Sequence, residues 1–337
     1  MKIALTYNLK KELPKTEGLP PDFYAECDDI ETIENVRDAL CARHGDVLMI
    51  EADEDAFEKL RKARPDMVFN MAEGIWGESR ESQLPAIMDM LRIPYTGSSP
   101  LTLGLCLNKG RAKQVLAWHG IATPRFVVTD VYTADIAESL SFPMIVKPLF
   151  EGSSKGVKND SIVHDEEALR DRIERVRGEY SQSALIEEFL PGREFTVALL
   201  GNGKDLRTLP IVEINYSSLP EGINPIYSYE AKWVLDTPSA PLDIFSCPAK
   251  VDAPLKKAVD ELSLAAYRAL DVKDWCRIDI RLDSNGRPGV IELNPLPGIL
   301  MDPNCNSCFP KAARSAGMTF TELVNSVVDA ARKRYRL

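Results

Sequence analysis

The feature that most limits how this chain can fold is the stretch WCRIDIRLDSNGRPGVIELNPLPG at residues 275–298. Residues 275–282 alternate polar and apolar side chains, Asp283-Ser284-Asn285-Gly286 supplies turn chemistry, and residues 290–294 resume the extended pattern. This predicts two antiparallel strands joined by a tight turn. Strand side chains alternate faces, so Arg277, Asp279 and Arg281 share one side and Cys276, Ile278, Ile280 and Leu282 the other. Glu292 and Asn294 are same-faced neighbours on the second strand. Pairing that superposes the polar faces gathers Asp279, Glu292 and Asn294 into a set of oxygen ligands beside Arg277, the chemistry of a hard cation such as Mg2+ that also holds nucleotide phosphates. An ordinary hairpin also carries alternating charge on its solvated face, and this stretch alone leaves that alternative open. Pro295-Leu296-Pro297-Gly298 halts the strand after Asn294 and leaves the carboxylates near a strand end, where sites commonly form.

The first hundred residues obey a different rule. Strand-like segments at 2–7, 47–50, 66–71 and 93–96 alternate with helix-like segments at 31–43, 55–63 and 82–91. Such alternation implies right-handed crossovers and a parallel sheet. No G-x-G-x-x-G follows the first strand, so a dinucleotide site is not expected. The loop AEGIWGES at 72–79 follows a strand end, where open α/β sheets bind ligands, and makes Glu73, Trp76 and Glu78 candidate substrate contacts. Packing of Trp76 on the next helix is the alternative.

A length of 337 residues suggests two or three domains with ample core. With 45% hydrophobic and 27% charged residues and no low-complexity tract, the composition is that of a soluble globular protein. No apolar run approaches the roughly 18 residues of a membrane span. The chain opens directly as a strand, so no signal peptide and a cytoplasmic location are expected. A net charge of -10 argues against nucleic-acid or anionic-membrane partners; an anionic small ligand has to be met by local lysines and arginines. Seven cysteines, an odd number, suggest reduced thiols. Cys305 and Cys308 form one C-x-x-C pair with none of His44, His119 or His164 nearby in sequence, so plain loop cysteines are expected rather than a zinc site.

Between the two regions, Asn108-Lys109-Gly110-Arg111-Ala112-Lys113 opens a helix running to about His119, whose three basic residues by themselves read as a solvated face. A strand at 124–128 follows. A buried-looking strand at 143–148 ends in Lys147-Pro148 and leads to Phe150-Glu151-Gly152-Ser153-Ser154-Lys155-Gly156-Val157. Glycines let backbone N–H groups close on oxygen, serines add donors and Lys147 is a point charge, which suits phosphate. A mobile hairpin loop is the alternative, and the order of residues is not that of a P-loop. After a charged helix at 165–177, residues 184–197 read as strand, Pro191-Gly192 turn and strand. Backbone at that junction can read an adenine edge, and Glu194 can hold ribose hydroxyls, although taken singly these acids read as surface carboxylates.

Taken in order, Lys109, PMIVKP, EGSSKG, IEEFLPGREFTV, YEAKW, WCRIDI and IELNPLPG, with PYTGS at 94–98 and KAARSAGMTFTELV at 311–324, resemble the ATP-grasp fold and within it the D-alanine–D-alanine ligase family. The resemblance covers almost the whole chain. It implies an α/β architecture with an N-terminal Rossmann-like pre-ATP-grasp domain at 1–108, a central ATP-grasp subdomain at 109–195 and a C-terminal one at 196–337, in a homodimer. It implies that Lys109 and Lys147 hold ATP phosphates, that Glu151, Gly152, Ser153 and Ser154 belong to a loop closing over them, and that Glu187, with backbone at Glu188 and Leu190, reads adenine while Glu194 binds ribose. Lys232 would reach the terminal phosphate, and Asp279, Glu292 and Asn294 would bind two Mg2+ ions, or Mn2+ in their place. Arg277 and the Gly298 N–H would stabilise an oxyanion.

The implied reaction moves the γ-phosphoryl group of ATP onto a carboxylate, and an amine then attacks the acyl phosphate. Departures from the family pattern fall on the amino-acid side. Tyr7-Asn8-Leu9-Lys10-Lys11 stands where an acidic turn is usual, with Glu26 or Asp28 as substitutes. Glu73 lies in Met71-Ala72-Glu73-Gly74, where a histidine is usual, and Trp233 replaces a tyrosine. Residues 299–306 form a longer loop before Ser307, the match to a serine that binds the second substrate. The expectation is a ligase joining two amino acids or similar small substrates, with D-alanine–D-alanine ligase proper as the alternative. A regulatory ATP-binding protein and a phosphotransferase that stops at the phosphorylated carboxylate are the other readings.

Overall fold

A computed structural model describes residues 1–11, 19–237 and 240–337. Near the N-terminus, β1 (Ile3–Tyr7), β2 (Val47–Glu51) and β3 (Met67–Asn70) form a parallel sheet in the order β2-β1-β3, joined through α1 (Ile30–His44) and α2 (Ala56–Ala63). α3 (Arg80–Leu91) follows. The expected strand at 93–96 is only a bridge between Tyr95 and Val68. Pro94 has no N–H to give a ladder, and Gly97, at φ 89, turns the chain away.

Two consecutive helices, α4 (Pro100–Leu107) and α5 (Lys109–Trp118), connect to a second sheet. There β4 (Phe126–Thr129), β5 (Met144–Pro148), β6 (Ile162–Val163) and β7 (Ala184–Glu188) run antiparallel in the order β4-β7-β5-β6. Ile136 and Leu140, in and just after α6 (Ala134–Ser139), and Leu169, Ile173 and Val176 of α7 (Glu166–Tyr180) share a core with Met144, Val146 and Ile186.

The third sheet holds β8 (Glu194–Leu200), β9 (Arg207–Thr208), β10 (Val212–Ile214), β11 (Phe245–Ser246), β12 (Trp275–Leu282) and β13 (Pro288–Asn294). Its order is β11-β10-β8-β12-β13, with β9 on β8. One face, carrying Phe195, Val197, Cys276, Ile278 and Ile280, packs on Val259 and Ala266 of α8 (Ala253–Ala269) and on Ala112 and Leu116 of α5. On the other face Ala198, Leu200 and Trp275 meet α9 (Cys308–Ser315) and α10 (Phe320–Tyr335). The same cluster contains Ile3, Leu5, Phe69 and the α1 residues Ile33, Val36 and Leu40. The N-terminal sheet therefore shares its core with the third sheet, and alternation along β12 passes from Trp275 in that core to Arg277, Asp279 and Arg281 beyond it.

Candidate active site

The hairpin that opened the sequence analysis is formed by β12 and β13, with Gly286 in the turn at φ 75 and Asp283 Oδ1 accepting from the N–H groups of Asn285 at 2.8 Å and Arg287 at 2.9 Å. Its register pairs Arg277 with Asn294 and Asp279 with Glu292. Next in the ladder Ile280 opposes Val290, so Ile291 is an extra residue and the strand is bulged. The bulge resolves a conflict that simple alternation contains: Val290, two residues from Glu292, belongs to the buried face with Ile280, while Glu292 still points to the polar side.

Arg277 Nε and Nη2 donate to the two oxygens of Asp279 at 3.1 and 3.0 Å, and Asn294 Nδ2 donates to Asp279 Oδ2 at 3.1 Å. Lys109 Nζ lies 3.6 Å from Glu292 Oε2 and also donates to the Glu151 carbonyl. Burial pushes the Glu292 carboxyl upward, but Lys109, Lys147 and Arg277 outweigh it and hold the group at about 2. Two cross-strand carboxylates and an amide oxygen, all hard donors and one carboxylate kept ionised, fit Mg2+. Among the described residues no group of three or more His, Cys, Asp or Glu is placed to hold a metal ion, so any third protein donor beside Asp279 and Glu292 is the Asn294 amide oxygen rather than another carboxylate.

The second sheet contributes cations. Lys147 on β5 and Glu187 on β7 share a face, and Lys147 Nζ sits 2.5 Å from Glu187 Oε2. Lys113 Nζ reaches the other Glu187 oxygen and Thr123 Oγ1 at 2.9 Å. Lys113 and Glu187 are each 1% exposed, so the expectation of a solvated basic helix face is corrected. Lys109 and Lys113 turn inward toward Glu292 and Glu187, and of the three basic residues only Arg111 remains exposed. In the third sheet Glu194 lies opposite Arg281, which donates to it at 2.7 Å and is held between the rings of Phe189 and Tyr216. The Glu188 side chain pairs instead with Arg125 and the Ser141 N–H, which leaves only its backbone for a ligand, and Leu190 is half-buried beside Gly289.

The glycine-serine loop is bound on three sides. Gly152 N–H donates to Glu26 Oε1 at 2.6 Å, Gly156 N–H to Asp22 Oδ2 at 2.9 Å, and Ser154 Oγ to the Tyr227 carbonyl at 2.8 Å. Trp233 Nε1 donates to the Ser153 carbonyl at 3.1 Å. Ser153 and Ser154 both have positive φ, 50 and 62, which curls the loop into consecutive turns. Glu151 is held by Arg80, Lys155 and Gln182. Glu26 receives Arg80 Nη2 on both oxygens at 2.9 and 2.8 Å and Lys155 at 2.8 Å. Sequence reasoning did not find Asp22, Arg80 or Lys155 as a unit, because they lie far apart in the chain and show no motif.

Lys232 sits in one π-turn, Ala231–Leu235, a local overwinding common at sites. Burial and the charge of Arg277 pull its ammonium down to about 8. Lys10 and Lys232 each lie 5.2 Å from the Trp233 ring. The loop after β13 returns on itself: Ser307 Oγ accepts from the Leu300 N–H at 3.1 Å and donates to the Gly298 carbonyl at 3.3 Å, so its hydroxyl is engaged internally. Glu73 and Gly298 line one cavity together with Asp28 and Trp275. Trp76 is not brought there; it is 62% exposed and stacks on Phe23 at 4.9 Å, and Glu78 is exposed as well. Cys305 and Cys308 are free thiols, and Cys308 opens α9 rather than lying in a loop.

Known proteins resemble this chain over most of its length. Residues 113–329 match the family model described as D-ala D-ala ligase C-terminus. An uncharacterized protein of Sinorhizobium fredii, y4sG, is 36% identical over 298 residues, covering 86% of this chain and 84% of its own. The D-alanine–D-alanine ligase of Bordetella petrii is 33% identical over 298 residues, covering 88% and 85%. The crystal structure of the Bacillus anthracis D-alanine–D-alanine ligase superposes with a TM-score of 0.77 at 26% identity, over 100% of this chain and 99% of that one. With the family model spanning more than half of its length, the chain belongs to the D-alanine–D-alanine ligase family of ATP-grasp enzymes, the ATP-dependent ligases that form C–N bonds.

Proposed function

We propose that this protein joins two amino acids, or similarly small carboxylate and amine substrates, through an acyl phosphate, using ATP and Mg2+. The observation that carries this reading is the register of the hairpin, which sets Asp279 against Glu292 and Arg277 against Asn294 with Lys109 and Lys147 acting on the same carboxylate. Lysines at that position neutralise phosphate oxygens, and a ligand phosphate would compete for Lys147 with Glu187. Asp279, Glu292 and Asn294 would hold Mg2+, which when bound supplies charge neutralisation for the transferring phosphoryl group.

The chain's own groups do the rest. Lys232, on its π-turn, meets the terminal phosphate; Glu187 and the backbone at Glu188 and Leu190 face the adenine, and Glu194 the ribose. Once the carboxylate carries phosphate, an amine attacks the acyl carbon, the C–O bond to phosphate breaks and phosphate leaves with the electron pair. Arg277 and the Gly298 N–H stabilise the oxyanion of the intermediate, a role whose loss typically costs ~10²-fold or more in rate. The loop at 151–156 lies across the site and excludes water, which would otherwise hydrolyse the acyl phosphate.

D-alanine–D-alanine ligase proper is the second reading, supported by the named activity of the Bordetella petrii relative. The two readings separate in one experiment: ADP release by the purified protein with ATP and Mg2+ across D- and L-amino acids, singly and in pairs, with products weighed by mass spectrometry. Release that needs only D-alanine and yields its dipeptide selects the second reading; release that needs another pair selects the first. ATP binding without turnover for any pair would overturn both.

A further inference from the structure

The polar face that carries Asp279 continues along β12 to Arg281, two residues on and about 7 Å further along the strand. The register sets Asp279 against Thr196 of β8 and Arg281 against Glu194, the first residue of β8. Glu194 therefore stands between the Pro191-Gly192 turn and the carboxylates of the hairpin. Arg281 Nη1 donates to Glu194 Oε2 at 2.7 Å. Two rings hold the guanidinium, whose centre lies 4.4 Å from the Phe189 ring and 5.5 Å from the Tyr216 ring. Arg281 Nε is buried and finds no acceptor among the described residues.

The two partners are not equally hidden. The Arg281 side chain is 4% exposed and that of Glu194 13%, so a ligand lying on this face meets the carboxylate first. Burial raises the Glu194 carboxyl, and Arg281 is the charge that most opposes the rise, while Asp279 adds to it. A glutamate alone has three rotatable bonds to immobilise. One that is gripped by a planar guanidinium, itself wedged between two rings, has one oxygen fixed and the other set in direction. Stability by itself does not account for such a pair, because apolar residues of the same volume generally hold a buried position as well or better.

We propose that Arg281 is a positioning residue for the nucleotide: by holding Glu194 through Oε2 it presents Oε1 to the ribose hydroxyls and sets a preference for the ribonucleotide over its deoxy forms. The inference rests on the ligase reading above, in which Glu194 faces the ribose, and it adds the group that makes Glu194 selective. Arg281 acts through Glu194 and touches no reacting atom. A hydroxyl that donates to an ionised, fixed carboxylate makes a charge-assisted bond, and its loss is worth about tenfold or more in affinity.

The test is calorimetric binding of ATP, 2′-deoxyATP and 3′-deoxyATP, each with Mg2+, to the full chain and to its Arg281→Met and Arg281→Lys variants. The unaltered protein should bind ATP at least about tenfold more tightly than one of the deoxy forms. Arg281→Met should shrink that ratio to about threefold or less, chiefly by weakening ATP, and Arg281→Lys, which keeps the charge without the planar fork, should retain part of it. A purely structural role would weaken all the nucleotides together and leave the ratio where it was. That result, in a variant that melts as the unaltered protein does, overturns the inference. Equal binding of ATP and both deoxy forms by the unaltered protein overturns it too, and this comparison needs no variant to fold. Turnover with amino acids but without ribose preference removes the inference and leaves the ligase reading standing. A ribose preference that Arg281→Met abolishes, with no turnover for any pair of amino acids, keeps the inference and removes the ligase reading.

Discussion

At the scale of single residues the site works by setting buried charges against one another. Glu292 stays ionised although burial opposes it, because three cations face it, whereas Lys232 has Arg277 as a neighbour and lies nearer neutrality. Removing the charge at either carboxylate of the hairpin, by Asp279→Asn or Glu292→Gln, should lower ATP turnover by ~10²-fold or more while the protein still melts in one transition. Steady-state ADP release checks this, and turnover within a few-fold of the unaltered protein would remove the metal assignment. Lys232 gives a pH signature. Its ammonium titrates at about 8, so it is charged below that pH and loses its attraction for phosphate above it. ATP affinity should therefore fall as pH rises from 7 to 9, and the fall should be flatter in Lys232→Arg, whose guanidinium stays charged. An affinity unchanged over that range in the unaltered protein would place Lys232 away from the phosphate.

At the scale of elements, the loop at 151–156 depends on a few contacts and two conformational requirements. Gly156 has φ 68, and an added Cβ would lie 2.3 Å from Pro148 Cγ, so Gly156→Ala should cost about 1–3 kcal/mol and displace the loop. Chemical denaturation would detect it. Glu26 supplies the opposite contact: burial would raise its carboxyl, but Lys155 and Arg80 lower it from the usual range to about 2. A carboxyl depressed by folding stabilises the protein at pH values above its unfolded pKa, and that contribution disappears as pH falls toward 2. Glu26→Gln leaves Arg80 and Lys155 with Glu151 as their remaining carboxylate partner and should cost about 1–3 kcal/mol at neutral pH. It should also speed amide exchange at Gly152; unchanged exchange would mean that Glu26 does not hold the loop.

The elements also show what could be read from sequence and what could not. Alternation in residues 275–282 and the Asn285-Gly286 turn were sufficient for the β12–β13 hairpin, and its polar face was correctly grouped. The bulge at Ile291 was not legible, because an inserted residue leaves no periodic trace. α4 was missed although Ser99-Pro100 is a helix start, since PLTLGLCL is apolar all round and has no stripe. Lys113 illustrates the harder case: a basic residue every second position on a helix reads as solvated, and only the packing of distant strands turns it into the partner of Glu187.

At the scale of the molecule, the three sheets are not three independent units. Phe69 of the N-terminal sheet packs against Trp275 at 5.6 Å, and Trp275 against Phe309 of α9 at 5.7 Å. Nearby, buried Asp274 accepts from the Gly97 N–H at 2.8 Å, from Asn202 Nδ2 at 2.6 Å and from Arg334 Nη2 at 2.8 Å, while Arg334 also donates to the Tyr95 and Gly97 carbonyls. One ion pair thus joins the residue before β12 to the last helix, and both partners hydrogen-bond to the segment after α3. Because the cavity beside Gly298 lies along this seam, its walls come from both ends of the chain, and the site exists only when the seam is formed. Trp275→Ala should cost about 3–5 kcal/mol and enlarge the cavity. A fragment ending at residue 108 keeps the parallel sheet but loses Ala198, Trp275, Phe309 and the whole apolar side of α10 from the cluster that buries Ile3, Leu5 and Phe69. At 25 cal/mol per Å2 of apolar surface, stripping several large side chains of their cover removes more than the marginal ~5–15 kcal/mol that keeps a domain folded. Circular dichroism of that fragment should show an unfolded chain, and the complete protein should lose the N-terminal and C-terminal sheets in a single cooperative step. A fragment that melts cooperatively on its own would mean that the N-terminal sheet is self-sufficient and that the seam positions the site without holding the fold together.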